Sequence, residues 1–561
     1  MVTATGSTVR HATDAQPAGR DWTGRAGTSL LVGSLMLAAL ALRVHGLGKT
    51  NLWLDEANSW YVAHLAWPQL WANLRASPLG PFYFVALKIW IGVAGASEAA
   101  LRAPSLIAGL ALIPLVYAIG ARTVSHRAAC IGAALTALSP LHLYFSQEAR
   151  MYMPLAWLAA VVLFAYIRWR DDAVLARDVP TRPAAIVLGG YALVSILMLG
   201  TNVVSGPLLV AINLDALILL IRQVPAHKRT RALVQWTVAN GVILAAALSM
   251  VVFVLPKSAE ASQAWRGALG IVGALRSLLQ YPITAIHGVY FYPDELARAI
   301  GDARYTPSRD AIRRLATMLI AEPVVIGVIV VAVMRALGEA RRYPARVLAM
   351  AVLVPVIIGA AISVRSEVDL ARYFLYASSF LYLLLGAGLA VLSSRSRAMA
   401  LALLAAAIAI GTQRTYAVYS RDSDYRSVAH DLMARRDQAK AVIVQPAEMF
   451  EPLSYYLHGR LALPITRVAQ RAPLGPAIAS VGAVPAWVVL DYRSPLYGTP
   501  PDTLESALGK CVASDMYDAG SGAGVRLVLA VPAAQCGATA HHLTTELPSQ
   551  PAGGATCATC R

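Results

Sequence analysis

The sequence predicts a polytopic α-helical membrane protein of about eleven transmembrane helices, followed by a small α/β domain outside the membrane. Three observations lead to this fold class. The chain has 561 residues, of which 57% are apolar and only 14% charged, whereas a soluble chain carries roughly a quarter charged residues. The apolar residues form runs of nearly membrane length, and the arginines collect between alternate runs. Only after about residue 414 does the composition become that of a soluble domain.

Eleven apolar runs approach the roughly 20 residues that a helix needs to cross about 30 Å of hydrocarbon. They are predicted to be helices because lipid offers the backbone no hydrogen-bond partners, so each segment must satisfy its own polar groups. The runs are 28–47, 102–121, 128–144, 153–169, 184–200, 203–222, 236–256, 318–336, 347–364, 373–392 and 399–413. A twelfth apolar stretch, 78–96, contains two prolines and Lys88, and we interpret it as a re-entrant or interfacial helix.

The placement of arginine and lysine predicts the orientation. If the N-terminus is cytoplasmic and 78–96 does not cross, the cytoplasmic loops hold most of the basic residues, as the positive-inside rule requires. Counting 78–96 as a span would put those arginines outside. The predicted topology is therefore N-in and C-out. Much of the net charge of +17 then comes from basic residues in the cytoplasmic loops at the ends of the helices. We therefore expect membrane lipids, not nucleic acid, as partners.

The remaining segments complete the domain organisation. Residues 1–27 resemble a disordered cytoplasmic tail, 28–413 form the membrane domain, and 537–561 read as a flexible tail. The membrane domain carries two large outside loops, 48–101 and 257–317. In the soluble part, 414–536, the pattern predicts helices at 424–436 and 448–459 and strands at 439–446, 486–493 and 525–531. Cys511 and Cys536 fall there and could pair in an oxidising compartment, although spacing alone does not establish a disulfide.

Acidic residues in the outside loops are the most informative feature for chemistry. Asp55 and Glu56 follow the first helix, among the aromatic residues of an interfacial belt. Glu148 and Arg150 lie in the short turn between the third and fourth spans. Taken alone, the first pair is better explained as solvated carboxylates, and the second is explained equally well as a local ion pair. A transporter, a channel and a membrane enzyme all remain open at this point.

The motifs in their order resemble one family. NLWLDEA (51–57), the proline-containing segment, EAALRAPSLIAGLALIPLVYAIGA (98–121) and LSPLHLYFSQEARMYMPL (138–155) are similar to the bacterial branch of the GT-C membrane glycosyltransferases. Relatives are the protein O-mannosyltransferases and the aminoarabinose transferases, of the glycosyltransferase family 39 type. The resemblance covers residues 28–170 at motif level and the layout through 413. It implies transfer of a sugar from a polyprenyl-phosphate donor to a hydroxyl of a cell-envelope glycan, lipid or protein, on the outer face of the cytoplasmic membrane.

The resemblance also implies roles for acidic residues. Transfer requires a base on the attacking side of the sugar. Asp55 matches the family's first-loop acid and is the expected base, with Glu56 as the adjacent alternative. Glu148 matches the second-loop acid, which could hold the acceptor, bind a metal or orient Arg150.

The departing phosphate needs cationic donors, for which a guanidinium fork is well suited. The candidates are Arg150, Lys88, and Arg372 with Tyr373 in the stretch EVDLARYFLY. Arg102 is a further candidate. An equal alternative is that its side chain only extends to the membrane interface to keep its charge in water. We expect the neighbouring side chains of Tyr61, Gln147 and Tyr152 to bind substrate.

One departure from the family concerns a metal. Where many relatives carry a His- or Lys-Pro-Pro, this chain has Ser77-Pro78-Leu79-Gly80-Pro81. No metal site can be named from the sequence, although a divalent cation stays open as a cofactor.

The rival functions are a transporter or lipid-linked-sugar flippase, and a glycan-binding module on a membrane scaffold. For the donor sugar the family favours mannose, with galacturonic acid, arabinose or another pentose as alternatives.

Overall fold

The structure described here is a computed structural model of the full chain. The residues it describes are 25–76, 80–171, 184–262, 269–287, 345–365, 368, 370–395, 398, 425–457, 459, 461–470, 472–491, 494, 496, 501–517 and 525–532. The predicted spans 318–336 and 399–413, most of the loop 257–317, and the tail 537–561 lie outside these residues.

Helices make up the membrane domain. In chain order they are α1 (Arg25–Val44), α2 (Leu54–His64), α3 (Trp67–Ala76), α4 (Pro81–Ala94), α5 (Glu98–Thr123), α6 (His126–Leu138), α7 (Pro140–Ser146), α8 (Tyr152–Arg168), α9 (Ala184–Thr201), α10 (Gly206–Arg222), α11 (Ala226–Ser262), α12 (Gly270–His287), α13 (Arg346–Ser363), α14 (Leu370–Tyr373) and α15 (Leu375–Arg395). Nine of the eleven predicted spans coincide with helices in this series. Within the described part of the chain, seven helices are long and apolar enough to cross a membrane, or eight if the bent pair α6–α7 is one span.

The third predicted span is broken, which the sequence prediction of one helix over 128–144 did not anticipate. Its two parts, α6 and α7, meet at 54°. The break occurs at Ser139, whose hydroxyl accepts a hydrogen bond from the His142 backbone N–H, and at Pro140, which has no N–H to continue the ladder of α6. The buried guanidinium of Arg43 donates to the carbonyl oxygens of Thr136 and Ala137. These bonds satisfy the end of α6 inside the bundle.

The loop between α1 and α5 folds into three short helices, α2, α3 and α4. With 14 residues, α4 extends about 21 Å at 1.5 Å per residue, less than the thickness of the hydrocarbon core. A helix of this length does not cross the hydrocarbon core by itself, and a re-entrant or interfacial position of 78–96 stays a prediction. The amphipathic helix α12, within the segment 257–317, was not predicted. It contacts α7, α13 and α14.

The C-terminal domain is α/β, as the alternation of strands and helices predicts. Its sheet has the order β2 (Ile465–Arg467), β1 (Ala441–Gln445), β3 (Ala486–Asp491), β5 (Val525–Val531), β4 (Cys511–Tyr517). The strands β2, β1 and β3 are parallel, and β3–β5 and β5–β4 are antiparallel. Helices α16 (Tyr425–Ala434), α17 (Phe450–Leu457), α18 (Gly475–Val481) and α19 (Pro501–Leu508) flank it. Apolar clusters cover both of its faces.

Some elements of this domain were not predicted. The strands β2 and β4 and the helices α18 and α19 are short or polar, so their pattern was too weak to recognise. Cys511 is disulfide-bonded. Its predicted partner, Cys536, lies beyond the residues that the structure describes, and that pairing stays a prediction.

The C-terminal domain packs on the loop between α1 and α5 and on the start of α5. The Leu52 backbone N–H donates to the Tyr456 hydroxyl at 2.7 Å, and the Tyr455 hydroxyl donates to the carbonyl oxygen of Ala96 at 2.8 Å. Arg426 and Glu98 form an ion pair at 2.7 Å. The loop that carries Asp55 is therefore held between the helical bundle and this domain.

Candidate active site

Asp55 lies in the first turn of α2 and faces two guanidinium groups. Its Oδ2 is 3.2 Å from Nη1 of Arg372 and 3.7 Å from Nη2 of Arg150. Its side chain is 28% exposed, so it is open to solvent. Three residues from separate parts of the chain thus form one charged cluster at the end of the bundle that bears the C-terminal domain.

Aromatic rings support the two arginines. The guanidinium carbon of Arg372 is 5.5 Å from the ring centre of Trp53 and 5.7 Å from that of Tyr152. Arg150 lies 5.7 Å from the same Tyr152 ring, and Tyr373 packs edge-on against it. Stacking on rings leaves the N–H groups at the edge of a guanidinium directed outward, which suits the binding of an anion.

Groups of α2 and α5 hold Arg150 in place. Its Nη1 donates to the Asp55 carbonyl oxygen and to the Ser59 hydroxyl, both at 3.1 Å. The Ser105 hydroxyl donates to the Arg150 carbonyl oxygen. Ser59 was not singled out in the sequence, although its position one helical turn after Asp55 places it on the same face.

Glu56 has a different environment from its neighbour. It is buried, and its two oxygens accept from Nε and Nη2 of Arg102, each at 2.7 Å. The Ala149 backbone N–H also donates to it, at 2.8 Å. A carboxylate with these partners is not available to an acceptor hydroxyl, so the geometry gives no support to Glu56 as the alternative base.

Arg102 accordingly uses its hydrogen-bond donors inside the protein. It is buried, and its remaining donors bind the carbonyl oxygens of Leu47, Thr50 and Asn51. The geometry gives no support to a contact of Arg102 with phosphate, because the guanidinium is used within the protein to hold the chain between α1 and α2.

Glu148 and Gln147 occupy the turn between α7 and α8. Glu148 is fully buried and acts electrostatically on Arg150 and Tyr83. The Gln147 side-chain amide donates to the carbonyl oxygens of Arg43 and His45 at 3.0 and 2.7 Å. Gln147 therefore ties the turn to the end of α1, which does not support its prediction as a substrate ligand.

The other predicted residues divide into two groups. Tyr152 and Tyr373 lie in the cluster, as described above. Lys88 does not, because its ammonium donates to the carbonyl oxygens of Ala63 and Leu65 and lies 5.2 Å from the Trp67 ring centre. A cation at the C-terminal end of α2 stabilises that helix, so the geometry does not support a phosphate role.

Tyr61 lies two turns after Asp55, at the contact with the C-terminal domain. Its ring packs edge-on against Phe450, with ring centres 6.0 Å apart. It is therefore outside the charged cluster but on the same helix.

A divalent cation such as Mg²⁺ or Ca²⁺ needs several oxygen ligands around one point. Among the described residues, no group of three or more histidine, cysteine, aspartate or glutamate side chains is placed to hold a metal. In the cluster, the space around the Asp55 carboxylate is taken by two guanidinium groups, and Glu56 is paired with Arg102. These residues do not fit a divalent cation.

Comparisons with known proteins identify the architecture. No family model and no curated protein matches the chain. Its structure is similar to that of ArnT from Cupriavidus metallidurans bound to undecaprenyl phosphate, with a TM-score of 0.54, 14% identity, and coverage of 90% of this chain and 98% of that chain. It is also similar to the Archaeoglobus fulgidus oligosaccharyltransferase in the apo form, with a TM-score of 0.51, 13% identity, and coverage of 84% and 70%.

Both neighbours are GT-C glycosyltransferases. The chain has the GT-C fold. The match extends over nearly the whole length of ArnT, so the GT-C architecture includes the C-terminal domain as well as the helical bundle. At 14% and 13% sequence identity, the structural similarity establishes the fold alone.

Proposed function

We propose that this protein is an integral-membrane glycosyltransferase that moves a sugar from a polyprenyl-phosphate donor to a hydroxyl of a cell-envelope acceptor. The observation that carries the proposal is the cluster of Asp55, Arg150 and Arg372 at one end of a GT-C bundle. An open carboxylate beside two aromatic-backed guanidinium groups supplies what the reaction needs: a proton acceptor and a binding site for the leaving phosphate.

The proposed step is a substitution at the anomeric carbon. The acceptor oxygen forms a bond to that carbon while the bond from the carbon to the phosphate oxygen breaks. The acceptor proton passes to Asp55, and polyprenyl phosphate leaves. Arg150 and Arg372 bind the phosphate, and their positive charge stabilises the negative charge that develops on it.

Phosphate binding also changes the state of Asp55. Before the donor binds, the Arg372 guanidinium is paired with this carboxylate. A donor phosphate would compete for the same N–H groups. We infer that the exchange of partners frees the Asp55 oxygens to accept the acceptor proton. The presence of undecaprenyl phosphate in the ArnT structure supports a donor of this class.

The arginine distribution supports a reaction on the outer face of the cytoplasmic membrane, with the N-terminus inside and the C-terminal domain outside. Within the class we propose a hexosyl- or pentosyltransferase, with mannose as the first sugar to test. Residues 414–536 would then face the acceptor, and 28–413 would hold the lipid donor. Under this assignment, Glu148 orients Arg150 and Glu56 positions α2.

The experiment is transfer in proteoliposomes supplied with labelled polyprenyl-phosphate sugars and a cell-envelope extract. We expect the wild-type protein to form a labelled product and Asp55→Asn to lose at least a hundredfold in rate, as is typical for removal of a general base. The matched control is Asp437→Asn, an exposed acid of the C-terminal domain. Movement of the lipid across the bilayer without a new glycosidic bond would contradict the proposal and favour a flippase.

A further inference from the structure

A second cationic site lies where α2 meets the C-terminal domain. Arg467 ends the edge strand β2, and its guanidinium carbon lies 3.4 Å from the ring centre of Phe450 and 5.8 Å from that of Tyr61. The side chain is 40% exposed. Two rings from different domains thus hold a guanidinium at the surface of the seam between them.

The N–H donors of Arg467 are not used within the part of the chain that the structure describes. Its single polar contact there is with Glu451, whose Oε1 is 3.9 Å from Nη1, beyond hydrogen-bond distance. An arginine that is ordered by stacking but makes no hydrogen bond is prepared to bind an external acceptor of hydrogen bonds.

Glu451 adds a second observation. Its side chain is only 12% exposed, and its Oε2 is buried without a hydrogen-bond partner among the described residues. Burial raises the pKa of this carboxyl to about 7, against the opposing effect of Arg467. Around neutral pH Glu451 is therefore only partly ionised, and it leaves much of the charge on Arg467 uncompensated.

The seam is close to the catalytic cluster. Tyr61 follows Asp55 by six residues on the same helix, about 9 Å along its axis at 1.5 Å per residue. A molecule whose hydroxyl reaches Asp55 can extend over this distance to Arg467. The lipid donor approaches from the membrane side, whereas the seam belongs to the soluble domain, so the acceptor is the substrate that this position suits.

We propose that the seam is an acceptor subsite, in which Arg467 binds a phosphate or carboxylate group of the acceptor against the Phe450 and Tyr61 rings. The proposal rests on the glycosyltransferase function proposed above. It assigns the acceptor to the anionic molecules of the cell envelope, and it gives the C-terminal domain a part in substrate choice.

The first test measures transfer. Full-length Arg467→Gln and wild-type protein are compared in proteoliposomes with labelled donor, while the envelope extract is titrated as acceptor. We expect the apparent KM for the extract to rise about tenfold, the value of a lost charge-assisted hydrogen bond, with the KM for the donor unchanged. The matched control is Arg436→Gln. Arg436 is another exposed arginine of this domain, and its Nε also lies 3.9 Å from a carboxylate oxygen, Oδ1 of Asp437. An unchanged KM for the extract would overturn the proposal.

Treatment of the extract with phosphatase distinguishes the two anions. If the acceptor carries phosphate, treatment raises the wild-type KM to the value of Arg467→Gln. If it carries carboxylate, treatment has no effect and the difference between the two proteins remains.

The second test does not depend on transfer. Phenylglyoxal modifies exposed arginines, and peptide mass spectrometry reports each site separately. We expect inorganic phosphate or glucuronate to slow modification of Arg467 but not of Arg436. Equal modification of the two arginines with both probes would contradict the subsite. A protein that shows this protection but transfers no sugar would contradict the proposed function and leave the anion site in place.

Discussion

Glu56 and Arg102 form a buried bidentate ion pair, with both hydrogen bonds at 2.7 Å. The pair joins the start of α2 to α5, and Ala149 of the turn after α7 donates to the same carboxylate. One salt bridge thereby connects α5 to the start of α2, which carries Asp55, and to the turn that carries Glu148 and Arg150. It holds these segments together, while Asp55, the neighbour of Glu56, stays open to solvent.

The first prediction concerns this pair. Glu56→Gln leaves the charge of Arg102 buried without its carboxylate, which costs about 3–5 kcal/mol. We expect a large fall in the thermal unfolding temperature together with loss of activity. The double variant Glu56→Leu/Arg102→Met should recover stability but not activity, because an apolar pair replaces the charge without fixing the turn. Recovery of neither property by the double variant would contradict a simple ion-pair role.

The second prediction separates Arg372 from Lys88. Arg372 contacts Asp55 and is backed by two rings, so Arg372→Lys should raise the KM for the lipid donor about tenfold or more, because lysine cannot replace a stacked bidentate fork. Lys88→Met should leave the KM for the donor unchanged and lower the stability of α2, whose carbonyl groups Lys88 binds. Donor titrations on the two purified proteins measure both effects. A higher donor KM in Lys88→Met would restore its predicted phosphate role.

The third prediction concerns Gly109 in α5. A Cβ there would lie 2.3 Å from Ser146 Oγ and 3.3 Å from Arg43 Nε, and those two atoms are hydrogen-bonded to each other at 3.1 Å. Gly109→Ala should therefore displace α7, which leads into the turn of Glu148 and Arg150, at a cost of about 1–3 kcal/mol. We expect a lower unfolding temperature and a lower kcat.

Gly92→Ala is the matched control, because a Cβ at Gly92 meets no atom within 4 Å and alanine has the higher helix propensity. Equal behaviour of the two alanine variants in thermal unfolding and turnover would show that the close packing at Gly109 is unimportant.

The fourth prediction is a pH dependence from Glu451. Burial raises its pKa from an ordinary value of 4.5 to about 7. Between these two values the unfolded chain releases the proton and the folded domain retains it, so stability falls as pH rises through this window. The apparent unfolding temperature of Glu451→Gln should fall less than that of the wild-type protein between pH 4.5 and 7. Asp437→Asn, which changes a 95% exposed acid, should follow the wild type.

Much of the membrane architecture was predictable from local pattern. Nine of the predicted apolar runs coincide with helical segments of the described chain, eight as single helices and one as the bent pair α6–α7, because a span in lipid must satisfy its own backbone. The break at Ser139 was harder to predict. Its signal is a single serine–proline pair, and the break depends on Arg43 from α1, which binds the exposed carbonyl groups. A helix end inside the bundle needs such a partner, and a partner from another helix cannot be recognised in a linear pattern.

The sequence by itself determined the class of protein, the predicted orientation and the three segments that carry the charged residues of the site. Apolar runs and the loops that carry basic residues are continuous stretches of sequence, so they can be recognised without knowledge of the tertiary structure. The sequence favoured Asp55 over Glu56 only through the family resemblance, because the two adjacent acids carry the same charge. Tertiary structure gives them different surroundings, since Arg102 buries the Glu56 carboxylate and the Asp55 carboxylate is left open to Arg150 and Arg372. The stacking of Arg467 on Phe450 and Tyr61 was decided in the same way, because it depends on two domains meeting in space.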